Sequence, residues 1–273
     1  MSGRRGELSR LRNSLEAAIQ RRAGRGHRRL EASKLSVTPT PREELAAEPE
    51  ERAVTVPTSA PRPAERPKRE VEGLAAQREL AAKASDLEEL RSAVAGCEAC
   101  GLCETRTQTV FSDGAVSSGV MFIGEAPGAD EDAQGLPFVG RAGQFLTRII
   151  EKGMGVKRSE VYIANVLKCR PPDNRDPKFE EKALCTAWLD RQIELVDPKV
   201  IVALGRHAAV HLTGKDLSMG RLRGQVHRVA GRPIVPTYHP SYLIRQEGSS
   251  GFVRTKKLVW EDIQLAMAEA GLG

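Results

Sequence analysis

The fold is decided by the stretch from Val120 to Gly143, VMFIGEAPGADEDAQGLPFVGRAG. Its apolar start, Val120 to Ile123, predicts a buried parallel strand that breaks at Gly124 into a glycine-containing loop before a helical pattern begins. Ligands of open α/β sheets bind just beyond such strand ends. In this loop the glycines let the backbone approach a ligand, Glu125 supplies a charge and Phe138 a flat apolar surface. We therefore predict a site for a planar base, and the missing Gly-Lys-Ser/Thr ending of a P-loop argues against nucleotide hydrolysis.

Strand and helix patterns alternate through the rest of the chain from residue 86 onward. This alternation predicts one α/β domain, residues 86–273, with a mainly parallel sheet between helical layers. The predicted elements after the first strand are a helix through Phe145–Ile150, a strand over Val161–Leu167, a helix over Pro177–Val196, a strand over Pro198–Gly205, a helix through Ala208–Leu212, a hairpin over Val226–Tyr238 and a helix over Thr255–Ala270. A helix through Leu87, Leu90 and Val94 precedes them.

Composition separates residues 1–85 from this domain. The net charge of +6 favours a polyanionic partner, most simply nucleic acid. Residues 1–85 combine an Arg-rich start with a segment rich in Pro, Glu, Ala and Thr, which buries too little apolar surface to order itself. We expect a disordered extension with a short helix around Leu8 to Ile19. It would act as an arm that binds DNA or a repair or replication protein, or simply as a solvated tail.

The chain carries no signal for a membrane. No apolar run approaches the roughly 18 residues that a membrane span needs, and the N-terminus has no apolar core of a secretory signal. We therefore expect a cytoplasmic protein with no membrane partner, and we expect it to be a monomer.

The cysteine pattern predicts a metal centre. Cys97 and Cys100 form a Cys-x2-Cys pair, and Cys169 and Cys185 lie far along the chain with fifteen residues between them. A Cys-x2-Cys turn directs two thiolates at one ion, and the fold must supply the remaining ligands. Four thiolates suit either zinc or an iron-sulfur cluster, which spacing alone does not separate. Cys103 is predicted to be a non-ligand.

Four motifs, in the same order, resemble those of the family 4 uracil-DNA glycosylases. They are GEAPGADED from Gly124, GLPFVGRAG from Gly135, VYIANVLKCRPP from Val161 and YHPSYLIR from Tyr238. The resemblance covers about residues 97–263 and implies a three-layer α/β/α fold. It also implies excision of uracil from DNA and a [4Fe-4S] cluster on the four predicted cysteine ligands.

The resemblance suggests how a uracil would be held. An enzyme that cleaves the bond between uracil and deoxyribose must extrude the nucleotide and hold its base by face and edge. Phe138 would stack on the uracil, and Gly124 would bring its backbone close to the base. The Asn165 amide would accept from the ring N–H and donate to O4. Cytosine presents the opposite pattern, so it would leave buried groups unsatisfied.

Two residues are candidates for the chemistry itself. His239 would hydrogen-bond the uracil O2 and stabilise the negative charge that develops on the departing base. Glu125 has the carboxylate needed to orient or activate water and to stabilise the cationic sugar. Asp130 and Glu131 are alternatives for that carboxylate.

Further side chains are predicted to contact DNA. The candidates for phosphate contacts are Lys168, Arg170, Arg175, Arg221, Arg223 and Arg245, and those for filling the vacated stack are Tyr242 and Leu243. His207 and His211, four residues apart on a predicted helix, are expected to have surface or helix-cap roles. Two rival functions remain open: a nucleotide-binding or phosphoryl-transfer protein, and an iron-sulfur nucleic-acid-binding module without glycosylase activity.

Overall fold

A five-stranded sheet forms the centre of the part of the chain that the computed structural model describes, residues 68–273. The strands are β1 (Val120–Gly124), β2 (Tyr162–Asn165), β3 (Val200–Leu204), β4 (His227–Val229) and β5 (Arg232–Thr237). Their order across the sheet is β2-β1-β3-β5-β4, with only β4 antiparallel to its neighbour. The predicted mainly parallel sheet is confirmed, whereas the predicted arm and its short helix lie outside the described residues.

Helices precede, connect and follow the strands. They are α1 (Lys68–Lys83), α2 (Leu87–Ala95), α3 (Ala129–Gln134), α4 (Arg141–Arg148), α5 (Phe179–Val196), α6 (Arg206–Thr213), α7 (Met219–Leu222), α8 (Pro240–Arg245) and α9 (Phe252–Ala270). A π-helical segment, Ile149–Met154, continues α4. Within residues 68–273, no helix combines the length and the apolar character that crossing a membrane requires.

Both faces of the sheet are covered, which explains why its strands are continuous apolar runs rather than alternating patterns. In β1, Val120 and Phe122 pack on one side with α4, α8 and α9. Met121 and Ile123 pack on the other side with α5, α6 and α7. The three-layer α/β/α arrangement is therefore confirmed.

Helix α1 extends the folded part of the chain beyond its predicted start at residue 86. Ala81 is buried in one cluster with Trp188 of α5. The two helices approach so closely that a Cβ added to Gly73 would lie 3.3 Å from Leu184 Cδ2. The sequence of α1 is rich in Ala and charged residues, so composition alone assigns it to the extension. Its apolar partners come from α2 and α5, which lie later in the chain.

The carboxyl ends of β1 and β3 lie at the point where the strand order reverses. The chain passes from β1 to β2 on one side of the sheet and then returns to β3 on the other side. In register, Gly124 is paired with Asn165, and Ala203 with Pro236. The loops after β1, β2, β3 and β5 therefore meet at one edge, where open α/β sheets form their ligand crevice.

Candidate active site and cysteine centre

A cleft of about 780 Å³ opens at this edge of the sheet. Loops that follow all four parallel strands supply its walls. The cleft is lined by seven residues that the sequence analysis assigned to the site: Glu125, Phe138, Asn165, Arg175, His239, Tyr242 and Arg245. Residues that are up to 120 positions apart in the sequence, Glu125 and Arg245, thus share one cavity.

Asn165 places an unpaired amide oxygen at the base of the cleft. The residue ends β2 and is 1% exposed, and its Oδ1 has no hydrogen-bond partner among the described residues. Such an unmet buried acceptor costs about 1–3 kcal/mol, so it is uncommon in folded proteins. A Cβ added to Gly124 would lie 2.4 Å from this oxygen, so glycine keeps the adjacent space open. The oxygen is available to a donor on a ligand.

Phe138 presents its ring to the same space from a strained backbone. Its φ of +55° lies in the left-handed region, which aromatic residues rarely adopt. A close approach to α4 accompanies this conformation, since a Cβ on Gly143 would lie 1.8 Å from the Phe138 carbonyl oxygen. The ring centroid lies 5.6 Å from that of His239. Strain held in this way by tight packing is typical of functional sites.

His239 is a neutral hydrogen-bond donor in this environment. Its Nδ1 accepts from the Ser241 backbone N–H at 3.2 Å, which places the proton of the neutral ring on Nε2. Burial, assisted by the charge of Arg245 and opposed by that of Glu131, lowers the pKa of His239 to about 4. The Nε2–H group has no acceptor among the described residues and is available to a ligand at neutral pH.

Glu125 lies in the cleft as one member of a group of three titratable residues. His207 Nδ1 is 3.9 Å from Glu125 Oε1, and His207 Nε2 is 3.8 Å from Asp176 Oδ2. Burial raises the pKa of Glu125, His207 opposes this rise, and Asp176 adds to it. A half-buried carboxylate with a raised pKa is suited to accept a proton from water. Asp176 is 84% exposed, and we interpret the group as coupled charges rather than as a metal site.

The two alternative carboxylates have other roles. Glu131 Oε1 accepts from the N–H groups of Val139 and Gly140 at 2.9 and 3.0 Å, and its Oε2 accepts from Gly128 N–H at 3.1 Å. Glu131 thereby ties the loop after β1 to the loop that carries Phe138. Asp130 is exposed in the first turn of α3. Glu125 is the candidate that lines the cleft, is only partly exposed and has no backbone hydrogen bond to its carboxylate among the described residues.

The prediction is wrong for three of the proposed DNA contacts, because their side chains are engaged within the domain. Leu243 is fully buried in the apolar core. Arg223 pairs with Asp262, with Nε 2.9 Å from Oδ2 and Nη2 2.8 Å from Oδ1. The Lys168 residue is 1% exposed, and its ammonium donates to the Asn165 carbonyl oxygen at 2.7 Å. Leu243 and Lys168 are therefore not accessible to a base stack or to phosphates, and the Arg223 guanidinium is held by Asp262.

Other predicted DNA contacts lie at the rim of the cleft or on the adjoining loop: Arg170, Arg175, Tyr242 and Arg245. Arg175 is held by Glu181 through two bonds of 2.9 and 2.5 Å. The Tyr242 ring stacks on Tyr238, with centroids 5.0 Å apart. Arg245 is exposed, so its guanidinium can reach an approaching polyanion.

Four cysteines line a second, small cavity. They are Cys97, Cys100, Cys169 and Cys185, and the cavity has a volume of about 20 Å³. Apolar side chains, including Leu102, Leu167 and Trp188, supply much of the remaining wall. Cys103 does not line it. The structure thus brings together the predicted ligands from three remote segments: the end of α2, the loop after β2, and α5.

The donor set of this cavity fits a thiolate-bound metal group. Burial raises the pKa of Cys169 to about 11 and that of Cys185 to about 12, so the thiols are uncharged unless a cation draws off their protons. Arg106 Nη1 lies 3.2 Å from Cys169 Sγ, and the Lys168 backbone N–H donates to Cys185 Sγ at 3.3 Å. Sulfur ligands suit zinc or an iron-sulfur cluster and not magnesium or calcium.

Several lining residues escaped the sequence analysis: Asn174, Asp176, His207 and Tyr238. His207 was expected to have a surface or helix-cap role. The sequence did contain a signal that places His207 in the cleft. This residue closely follows Gly205 at the carboxyl end of a predicted parallel strand, and such ends share one edge of the sheet. Asn174 and Asp176 gave a weaker signal, since they lie in an irregular loop whose path the sequence does not define.

The fold and the cleft define the class: an α/β protein with an open cleft beyond the carboxyl ends of its parallel strands. The family model for the uracil DNA glycosylase superfamily matches residues 111–264. The type-4 uracil-DNA glycosylase of Thermotoga maritima is 44% identical over 172 residues, which cover 62% of this chain and 87% of the relative. That of Archaeoglobus fulgidus is 40% identical over 185 residues, covering 63% and 92%. A type-5 uracil-DNA glycosylase of Pyrobaculum aerophilum is 32% identical over 175 residues, covering 58% and 75%.

From these similarities, the chain belongs to the uracil-DNA glycosylase superfamily and, within it, to the type-4 uracil-DNA glycosylases.

Proposed function

We propose that the protein is a monofunctional uracil-DNA glycosylase. It hydrolyses the N-glycosidic bond of deoxyuridine in DNA, releases uracil and leaves an abasic site. The observation that carries the proposal is the buried, unpaired Oδ1 of Asn165 beside the ring of Phe138 and the donor Nε2–H of His239. Together they offer an acceptor, an aromatic face and a donor to one planar base.

Uracil recognition follows from the Asn165 amide. Its oxygen accepts from the uracil N3–H, and its NH₂ group donates to O4. Cytosine has an unprotonated N3 and an amino group at these positions. The Asn165 oxygen would then face another acceptor, N3, and its NH₂ group would face another donor, the amino group. Phe138 stacks on one face of the base, and Gly124 leaves room for its edge.

Catalysis requires charge stabilisation at both products of bond cleavage. The neutral His239 donates Nε2–H to the uracil O2, where negative charge increases as the bond to the sugar breaks. Glu125 orients the attacking water, accepts its proton and faces the cationic sugar. The nearby His207 keeps the pKa of this carboxyl from rising as far as burial alone would raise it.

The cysteine cavity is proposed to hold a [4Fe-4S] cluster through Cys97, Cys100, Cys169 and Cys185, with zinc as the alternative. When bound, the group supplies a structural crosslink between the end of α2, α5 and the loop after β2. DNA is the macromolecular substrate of the proposed reaction. Arg245 and Arg170 supply phosphate contacts, and Tyr242 fills the vacated stack.

Excision is tested with a labelled oligonucleotide that contains one uracil, followed by alkaline cleavage of abasic sites. We expect cleavage at the uracil position only after alkali, because a monofunctional enzyme leaves the backbone intact. An identical oligonucleotide with cytosine at that position is the control. Holo protein that yields no alkali-sensitive site in single- or double-stranded DNA would refute the proposal.

The acidic limb of the pH profile is expected to reflect Glu125 rather than a histidine. Burial raises the pKa of this carboxyl above its ordinary value of 4.5, and activity is lost as pH falls through that raised pKa. His239, with a pKa of about 4, becomes protonated only at the acidic end of the range measured. Single-turnover excision measured from about pH 4 to 8 should show this limb.

Two variants separate the groups behind that limb. Glu125→Gln should remove the limb together with about 10²–10⁴-fold of the rate. His207→Ala removes a group that lowers the pKa of Glu125, so the limb should move to higher pH. A limb centred near 6.5 that persists in Glu125→Gln would contradict the assignment.

Cys169→Ala or Cys185→Ala is expected to bleach the brown colour of the purified protein and to lower its thermal stability, because each removes one ligand of the proposed cluster. Cys103→Ala is the matched control and should retain full visible absorbance and iron content, since Cys103 lies outside the cavity. Colourless unaltered protein with stoichiometric zinc would favour the zinc alternative instead.

The Arg-rich arm is proposed to add phosphate contacts to those of the domain, which acts as a monomer. Deleting residues 1–67 should weaken DNA affinity and reduce the slope of log affinity against log salt, by about 0.9 per lost duplex phosphate contact. Fluorescence anisotropy at several salt concentrations measures both quantities. An unchanged slope would mean that the arm is a solvated tail or binds a protein, and a dimer in sedimentation analysis would contradict the monomer.

A further inference from the structure

Lys168 is a buried cation without a carboxylate partner. The residue is 1% exposed, and within residues 68–273 no Asp or Glu oxygen lies within 4.0 Å of its ammonium. Within this part of the chain, the ammonium makes one hydrogen bond, to the Asn165 carbonyl oxygen at 2.7 Å. Lysine is almost never fully buried unless its charge is balanced, because a neutral carbonyl cannot replace the lost hydration. A negative charge nearby would stabilise the charged form of this side chain.

The groups closest to Lys168 can supply that charge. Lys168 lines the cysteine cavity and directly precedes Cys169 in the chain. Its own backbone N–H donates to Cys185 Sγ at 3.3 Å. Four cysteines that bind a metal group are thiolates, and the centre they form carries net negative charge. That charge can balance a buried ammonium that no carboxylate reaches.

Through its hydrogen bond to Asn165, Lys168 also contacts the proposed uracil pocket. Asn165 provides both the carbonyl that Lys168 holds and the unpaired amide oxygen that faces the cleft. Only three positions of chain separate the two residues, and the loop between them leads directly from β2 to Cys169. The ammonium thus forms a short physical link between the cysteine centre and the base-recognition residue.

We infer that Lys168 is a positioning residue that couples the metal-thiolate centre to Asn165: the thiolate charge holds the ammonium, and the ammonium holds the end of β2. This inference rests on the proposed function for its effect on uracil, but its effect on the metal centre does not depend on that function. Coupling through such a contact is reciprocal: if binding at one site changes the affinity of the other by some factor, binding at the second changes the affinity of the first by the same factor.

Two variants separate the charge of Lys168 from its hydrogen bond. Lys168→Met removes both. Lys168→Gln removes the charge but retains an N–H donor that can reach the Asn165 carbonyl. Lys199→Met is the matched control, because the Lys199 ammonium also donates to a main-chain carbonyl, that of Ala270 at 3.3 Å, but it is exposed and does not line the cysteine cavity.

The first measurement is retention and reduction of the metal centre in purified holo protein. Both Lys168 variants are expected to lose iron to a chelator about tenfold faster than the unaltered protein, which is the usual scale for residues that support metal ligands. Their centre should also be reduced at a more negative potential, because a nearby positive charge has been removed. Lys199→Met should match the unaltered protein in both respects.

The second measurement is the steady-state kinetics of uracil excision. Lys168→Met is expected to lower kcat/KM about tenfold, mainly through KM, because Asn165 is less well placed for binding. Lys168→Gln should recover most of that loss, while its metal centre stays as labile as in Lys168→Met. A protein with no excision activity would refute the proposed function and leave the first measurement as the test of the coupling.

The coupling is overturned if folded Lys168→Met retains its metal centre with unaltered lability and potential. If neither variant folds, lysine labelling of the unaltered protein replaces them. Lys168 should resist an amine reagent in holo protein and react after a chelator has removed the metal under conditions that preserve the circular dichroism spectrum. Continued protection of Lys168 after metal removal would equally overturn the inference.

Discussion

Asn165→Asp is expected to reduce kcat/KM for uracil excision at least about a hundredfold. The ionised aspartate can accept from the uracil N3–H but cannot donate to O4, and it places negative charge against that oxygen. Burial raises the pKa of a carboxyl group, so a protonated fraction remains below neutral pH. That fraction can donate to the N3 of cytosine and accept from its amino group. Weak excision of cytosine should therefore appear as pH is lowered.

Parallel assays on uracil and cytosine oligonucleotides between about pH 5 and 8 measure both effects. Gln225→Glu is the matched control, because it makes the same amide-to-acid change at an exposed residue outside the cleft. Unchanged activity and selectivity in folded Asn165→Asp would refute the role assigned to the amide. Equal loss of activity in the control would point to a nonspecific effect of charge on DNA binding.

His239→Ala is expected to reduce kcat about 10²–10³-fold with little change in KM. The Nε2–H group stabilises charge that exists on the uracil only as the glycosidic bond breaks, so its loss falls on the chemical step. Because the ring is neutral at pH 7, the effect should be similar from about pH 6 to 8 and should not follow the ordinary histidine pKa of 6.5.

Single-turnover rates and DNA affinities measured separately give this division between kcat and KM. His211→Ala is the control, because His211 is a half-buried histidine on α6 whose Nε2 lies 3.5 Å from Thr186 Oγ1 and which does not line the cleft. His239→Gln retains an N–H donor and should recover part of the rate. A His239→Ala variant that loses affinity but keeps its single-turnover rate would make the residue a binding group instead.

Tertiary contacts distinguish Glu125, the proposed water-activating residue, from the neighbouring carboxylate of Glu131. Glu131 lies six residues further along the chain in an acidic stretch, yet its two oxygens accept three backbone hydrogen bonds that join two loops. Glu125 has His207 and Asp176 around it instead. Glu125 and Glu131 carry the same carboxylate, and only their partners in the folded structure distinguish them.

The sequence alone determined the mainly parallel sheet and part of the cleft lining. Apolar runs such as Val120–Ile123 are long enough for buried strands and are bounded by glycine and polar residues, which fixes where each strand ends. Because parallel strands align their carboxyl ends, residues just after those ends must meet. Asn165 and His239 each follow a predicted strand and could therefore be placed at one edge of the sheet, whereas the stacking role of Phe138 came from the family resemblance.

Only the tertiary structure decided which charged and apolar side chains are inside. Lys168, Arg223 and Leu243 occur in motifs that also carry exposed residues, and nothing local distinguishes them. Their burial depends on partners supplied by remote segments: the cysteine cavity for Lys168, Asp262 of α9 for Arg223, and the core beneath α8 for Leu243. Local patterns report periodicity along one element, whereas the balance of a buried charge depends on segments that only folding brings together.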